Sequence, residues 1–206
     1  MSLKPYLNKN VIEAGIDEVG RGCLAVPVVA AAVILPQDFD FSIVKDSKKL
    51  NEKKRVEAFN IIKENAIAYG VGWCKSKEID NINILQSTYK AMHEAIDKIE
   101  VNYDIKCEHL LVDGNQFNGY KSIPHTCVVK GDATYYSIAA ASILAKVIRD
   151  DWMKKQALKY PQYGWETNAG YGTKKHREAI LEHGTTEMHR MSFLGNILPK
   201  KLCFKL

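Results

Sequence analysis

The order of apolar and polar positions divides the chain into short strands followed by longer helices. Val11 to Asp17 is a short apolar stretch, and Val26 to Leu35 is a continuous run rich in Val, Ala and Ile. Ile67, Tyr69, Val71 and Trp73 alternate with small or polar residues. Alternation of this kind marks a half-buried strand, and an unbroken apolar run of similar length suits a strand covered on both faces. The three segments predict consecutive strands in an antiparallel meander. A helix over 51–65 is inserted before the third, with Val56, Phe59 and Ile62 on one face.

The period then changes. Leu85, Tyr89, Met92, Ile96 and Ile99 step by four and three, the spacing of a buried helical stripe. His109 to Asp113, stopped by Gly114 and Asn115, and Thr126 to Val129, stopped by Gly131, predict two more strands. Ile138, Ala141, Ala145, Ile148 and Trp152 mark a long helix, whose small residues Ala139, Ala140, Ala141 and Ser142 let it lie close against a sheet. Beyond Pro161 the chain reads as helical and loop-rich, with Gly184 as a C-cap. The expected fold class is α/β: a mixed β-sheet flanked by helices, with a helical C-terminal region. No repeat or linker divides the sequence, so its 206 residues predict one domain. Within it, about 1–160 form the core and about 161–206 the helical part.

Composition narrows the class. With 46% hydrophobic and 26% charged residues, disorder, collagen and coiled coil are excluded. The longest apolar run, Cys23 to Leu35, contains Pro27 and falls short of the about 20 residues a membrane helix needs. The start, MSLKPYLNKN, has no apolar export core, so a cytoplasmic protein without membrane contact is expected, with a monomer as the default. Cys23, Cys74, Cys107, Cys127 and Cys203 form no C-x-x-C pair and read as reduced thiols. A net charge of +5 identifies no partner by itself. Its distribution says more: Lys45, Lys48, Lys49, Lys53, Lys54 and Arg55 cluster early, and Lys174, Lys175, His176 and Arg177 late, near Tyr163, Trp165 and Tyr171. Basic groups interleaved with rings suit a phosphate backbone carrying sugars or bases to stack on.

Acids stand where strands are expected to end. Asp17 and Glu18 close the first, Asp113 closes the fourth, and Asp132 follows the fifth. Singly, each reads as a turn former or helix cap. Gathered at one sheet edge they repel one another unless a cation sits among them. No His or Cys lies beside them, which favours Mg²⁺ or Mn²⁺ over zinc. Neighbouring side chains on a strand point to opposite faces, so Asp17 and Glu18 share a site only if the backbone swerves, and Gly20 and Gly22 supply that freedom. The slim Gly20-Arg21-Gly22 segment also lets backbone approach a sugar hydroxyl, and the 2′-OH distinguishes RNA from DNA. A dinucleotide loop is disfavoured: G-x-G-x-x-G is missing, and acids would face the pyrophosphate. Ser137 and Ser142 read as small packing residues, His93 as exposed on a polar helix face, and His189 with Arg190 as a brace for the C-terminal segment.

From AGIDEVGRG through DSKKL, LLVDGN, KGDATYYSIAAASILAKVIRD and YPQYGW to GYGTKKH and HRMSF, the chain resembles the bacterial type 2 RNase H family, ribonuclease HII. The resemblance implies an RNase H-like core in which Asp17, Glu18, Asp113 and Asp132 are the catalytic carboxylates and hold Mg²⁺ or Mn²⁺, two ions during catalysis. It implies hydrolysis of RNA in RNA/DNA hybrids and nicking 5′ of a ribonucleotide embedded in duplex DNA, leaving 3′-OH and 5′-phosphate ends. It makes Gly20, Arg21 and Gly22 the sensor of the 2′-OH and adjoining phosphate, and Tyr171 a platform for the neighbouring deoxyribose. Lys48, Lys49, Arg149, Lys174 and His176 would contact phosphates or support the site. Cys23 stands where many relatives have Pro, Val26 where many have Gly, and Ala169 at an often basic position. These departures bear on the shape of the second strand and on one backbone contact, not on the acids. Type 3 relatives lack the GRG loop and carry an extra N-terminal domain, so type 2 is the better match. The tail LPKKLCFKL resembles a sliding-clamp peptide, a pattern that amphipathic tails without a partner also show. The competing class is a non-catalytic hybrid-binding protein, against which the presence of all four acids weighs.

Overall fold

The computed structural model describes residues 3–38, 44 and 50–198. Strands β1 (Glu13–Val19), β2 (Val28–Ile34), β3 (Ala68–Cys74), β4 (His109–Asp113) and β5 (His125–Val128) form one mixed sheet. Their spatial order is β3-β2-β1-β4-β5. β1, β2 and β3 pair antiparallel as the expected meander, whereas β4 is parallel to both β1 and β5. The inserted helix α1 (Glu52–Asn65) is started by Asn51, whose side chain accepts from the Lys54 N–H at 2.9 Å.

Helix α2 (Ser76–Tyr103), interrupted at Asn83, covers one face of the sheet. Its buried Tyr89, Met92, Ile96 and Ile99 meet Ala14, Ile16, Ala30 and Ala32. It sits directly on β3: a Cβ at Gly70 or Gly72 would come within 2.0 or 1.9 Å of the Ala95 or Ala91 carbonyl oxygen. The fully buried side of β3 is therefore Ala68, Gly70, Gly72 and Cys74, while Tyr69, Val71 and Trp73 are half-buried on the other side.

Helix α3 (Tyr136–Lys159) lies with α1 on the opposite face, where Ala139, Ala140, Ala141 and Ala145 pack with Ala31, Val33, Ala58 and Ile62. The expected close seat is real, since a Cβ at Gly15 would stand 2.2 Å from the Ser137 carbonyl carbon. Two side-chain assignments change. Val56 is 43% exposed, because the contact face of α1 is carried by Ala58 and Ile62. Along α3 the buried stripe runs into Arg149, leaving Ile148 and Trp152 half-buried.

A third cluster joins Leu24, Ala25 and Val26 to the C-terminal elements α4 (Trp165–Asn168) and α5 (Lys174–His183). Tyr163 and Trp165, expected to be available for stacking on sugars or bases, are buried here and stack on each other with centroids 5.2 Å apart. Their large apolar area goes to packing instead. His93 is half-buried against Phe117 and Tyr120 rather than exposed, because the helix face that carries it is covered by those rings. Gly184 caps α5 as expected, at φ +79°. Cys23, Cys74, Cys107 and Cys127 are free thiols. Lys45, Lys48, Lys49, Cys203 and the tail beyond Leu198 lie outside the described residues. Among the described residues no helix is long and apolar enough to cross a membrane.

Ala169 closes α4 in the left-handed region, at φ +47°. A side chain there costs on the order of 1 kcal/mol relative to glycine. Ala169→Gly should therefore raise the denaturant midpoint of unfolding with an unchanged slope.

Candidate active site

Parallel pairing sets the site. Ile16 is in register with Val112, so the next residues, Asp17 and Asp113, stand side by side at the carboxyl ends of β1 and β4. Open α/β sheets place ligands at that end. β1 continues two residues past the expected stop, because Asp17 and Glu18 still pair with Ala31 and Ala30. Both nevertheless line one depression of about 390 Å³, shared with Asp113, Ser142 and Tyr171. The swerve comes just beyond, at Gly20, with φ +92°.

The carboxylates perturb one another. Asp17, only 6% exposed, accepts the Glu18 N–H at 2.7 Å and a hydrogen bond from the Ser142 hydroxyl. Burial, followed by the charges of Glu18 and Asp113, holds its carboxyl well above the ordinary range. Burial also raises Glu18, opposed by Arg21, whose Nη1 lies 3.3 Å from Oε1. Asp113 accepts the Gly131 N–H at 2.7 Å, which ties β4 to the Gly131–Ala133 turn. Asp132 sits in that turn, 2% exposed, and is not among the residues lining the depression. Three of the four expected acids thus line one depression, and the fourth follows Gly131, whose N–H Asp113 accepts. Among the described residues no group of three or more His, Cys, Asp or Glu forms a compact metal cluster. The donor set itself, all oxygen and mutually repelling, fits a hard divalent cation, which Asp17, Glu18 and Asp113 would hold.

The two loop glycines differ in kind. Gly20 is required by its own surroundings: its φ is positive, and a Cβ would stand 2.6 Å from Arg149 Nε. Gly22 has no such need, since φ is ordinary and a Cβ would meet nothing within 4 Å. Open space at a glycine that packing does not explain leaves room for something outside the protein. Tyr171, 40% exposed, bridges to Cys23 beside this space.

Arg149 and His176 are fully buried, which makes them supports rather than phosphate contacts. Arg149 Nη2 holds the Ala169 carbonyl at 2.7 Å and Cys23 Sγ at 3.0 Å. The Lys174 side chain is 90% exposed, lies 3.8 Å from Glu178 and does not line the depression. One basic residue escaped the sequence reading: Lys146, paired with Asp150 at 2.9 Å, lines the depression beside Arg55. Its signal was its place one turn beyond Ser142 on the long helix. His176 and His189 form a buried neutral pair. His176 Nδ1 donates to the Tyr171 carbonyl at 2.9 Å, and its Nε2 accepts Trp165 Nε1–H at 3.0 Å. His189 Nδ1 accepts the Thr186 N–H at 3.0 Å, leaving its Nε2 toward His176 at 3.4 Å.

A mixed sheet with acids at the ends of adjacent parallel strands, covered on both faces by helices, has close counterparts among solved structures. Ribonuclease H2 from Pyrococcus horikoshii OT3 superposes with a TM-score of 0.75 at 24% identity, over 94% of this chain and 99% of that one. The RNase HII of a PCNA:RNase HII complex from Archaeoglobus fulgidus does so at 0.68 and 25% identity, over 88% and 94%. Bst-RNase HIII in complex with Mn²⁺ shares the fold at 0.70 and 17% identity, over 91% of this chain and 68% of that one. The fold is therefore RNase H-like. A family model described as Ribonuclease HII matches residues 14–195. Ribonuclease HII of Bacteroides thetaiotaomicron is 56% identical over 191 residues, 93% of this chain and 94% of that protein. The chain belongs to the ribonuclease HII family.

Burial, followed by the neighbouring His176, lowers the His189 pKa to about 4, and burial lowers His176 as well. The unfolded chain then binds more protons than the folded one between about pH 6.5 and 4, so stability is lost as pH falls through that window. The His189 share is at most about 3 kcal/mol. Urea titrations from pH 7 to 4 should show a shallower decline for His189→Gln than for the unmodified chain.

Proposed function

We propose that this nuclease cuts the RNA strand of RNA/DNA hybrids and nicks duplex DNA on the 5′ side of an embedded ribonucleotide, leaving 3′-OH and 5′-phosphate ends. The reading rests on one juxtaposition: three oxygen-donor carboxylates share a depression with Tyr171, next to the open space at Gly22. Mg²⁺ or Mn²⁺, two ions during catalysis, would be held by Asp17, Glu18 and Asp113, with Asp132 adding a carboxylate from the turn behind. Bound there, the ions supply an activated water and neutralise charge on the scissile phosphate.

The chain's own groups position the reactants. Ser142 orients Asp17, the Gly131 N–H orients Asp113, and Arg21 holds Glu18. Lys146 and Arg55 offer positive charge to the phosphates of the bound strand, and Tyr171 offers a ring face to the adjoining deoxyribose. The Gly20-Arg21-Gly22 backbone reaches the 2′-OH. No side chain attacks phosphorus, so Ser142 serves by its hydrogen bond. The whole chain acts as one catalytic domain and as a monomer, and the tail LPKKLCFKL is the segment we assign to a sliding-clamp partner.

Given Mg²⁺ or Mn²⁺ and a DNA duplex containing one ribonucleotide, the purified chain should nick 5′ of that nucleotide, with product ends mapped on a sequencing gel. Asp113→Asn should lower kcat by about 100-fold or more, the scale of losing one preorganised charged group, while duplex affinity is largely kept. No cleavage with either ion would overturn the reading. Gly22→Leu tests the loop separately. Its unfolding free energy should stay within about 0.5 kcal/mol of the parent, since nothing packs there. Its preference for the ribonucleotide duplex over all-DNA should fall, and an equal loss on both would exclude ribose sensing.

A further inference from the structure

We propose that Arg190 is a positioning residue for ribose discrimination, acting by fixing the carbonyl groups of the loop 20–26; the inference rests on the ribose-sensing reading of that loop. Arg190 is fully buried. Its Nη2 donates to the Gly20 carbonyl at 2.7 Å and to Val26 at 2.8 Å, its Nη1 to Arg21 at 2.8 Å, and its Nε to Val26 at 3.0 Å. Its backbone N–H donates to Leu24 at 2.8 Å. One residue thus holds four carbonyls of a seven-residue loop. Among the described residues no carboxylate forms an ion pair with it, and the Phe193 ring covers the guanidinium at 5.2 Å. Burial draws its pKa down to about 10, the expected cost of a cation whose hydrogen-bond partners are neutral carbonyls.

The planarity of the peptide turns this clamp into a direction. In a trans peptide the C=O of one residue and the N–H of the next point opposite ways. With the Gly20 and Arg21 carbonyls drawn inward to Arg190, the N–H groups of Arg21 and Gly22 are aimed away from it. Among the described residues these two N–H groups donate to no protein acceptor. They are outward-facing donors beside the open space at Gly22, suited to a hydroxyl or phosphate oxygen. Val26 shows how firmly the shape is imposed. This β-branched residue is held at φ +79°, a conformation such side chains avoid. It persists because its N–H is bound to the Met188 carbonyl at 2.6 Å and its C=O is held twice by Arg190.

The discriminating variant is Arg190→Lys, which keeps the charge but cannot span several carbonyls with one ammonium. The readout is the preference ratio, the Kd of an all-DNA duplex divided by the Kd of the same duplex carrying one ribonucleotide. The ratio should fall about ten-fold, the scale of one misaligned hydrogen bond, with all-DNA affinity changed less than about two-fold. An unchanged ratio, or parallel loss on both duplexes, overturns the proposal. Should Arg190→Lys fail to fold, Phe193→Leu loosens the clamp while leaving its hydrogen bonds; its ratio should fall by about three-fold, and a parental ratio overturns the proposal. Failure of the underlying reading is distinguishable, since the parent chain would then show no preference.

Discussion

The seating of α3 on β1 is the constraint from which the site follows. Gly15 leaves no room between strand and helix, with a Cβ position 2.2 Å from the Ser137 backbone. Interiors packed at this density transmit any displacement. One helix then meets the strand at successive levels: Ser137 at Gly15, Ser142 at Asp17 and Arg149 at Gly20. A side chain at residue 15 would lift the helix, and with it the hydroxyl that orients a carboxylate and the guanidinium that shapes the loop.

The same seating creates an electrostatic problem that the fold leaves open. Asp17 and Asp113 are neighbours by strand register, and Glu18 joins them although strand alternation should send it elsewhere. Burial, followed by the neighbouring acids, raises the Asp17 carboxyl, and burial raises Glu18 against the pull of Arg21, a condition that a packed core does not retain without another use. Arg21, Lys146 and Arg55 stand around the depression, so the local field combines an acidic floor with a basic rim. A polyanion drawn in by the rim meets the acids only where cations bridge them.

Much of this architecture was legible in the sequence, because it rests on periodicity. The meander, the α2 stripe and β4 followed from spacing alone, since apolar residues at period two or 3.6 leave few alternatives. The misreadings share a cause. Tyr163 and Trp165 look like a stacking surface beside basic residues, yet only tertiary packing decides whether a ring faces water. Val56 and His93 were misplaced because an amphipathic pattern does not say which neighbour covers each face. Arg149 and Arg190 were named but not understood: nothing local marks an arginine as fully buried, and their partners are carbonyls more than a hundred residues away in Arg190 and twenty in Arg149. Of the acids, Asp17, Glu18 and Asp113 were singled out by their place at strand ends, and they line one depression. The position of Asp132 within the Gly131–Ala133 turn depends on a bend that pattern cannot show.

The groups proposed to cut and the loop proposed to read the sugar draw on separate stretches of chain. The carboxylates belong to the sheet, whereas the loop takes its shape from Met188 and Arg190 in the C-terminal segment. On the proposed reading, drift in those late residues would retune which nucleotide is accepted without disturbing the carboxylates. Descendants of such a scaffold are free to diversify in selectivity while inheriting an unaltered reaction centre.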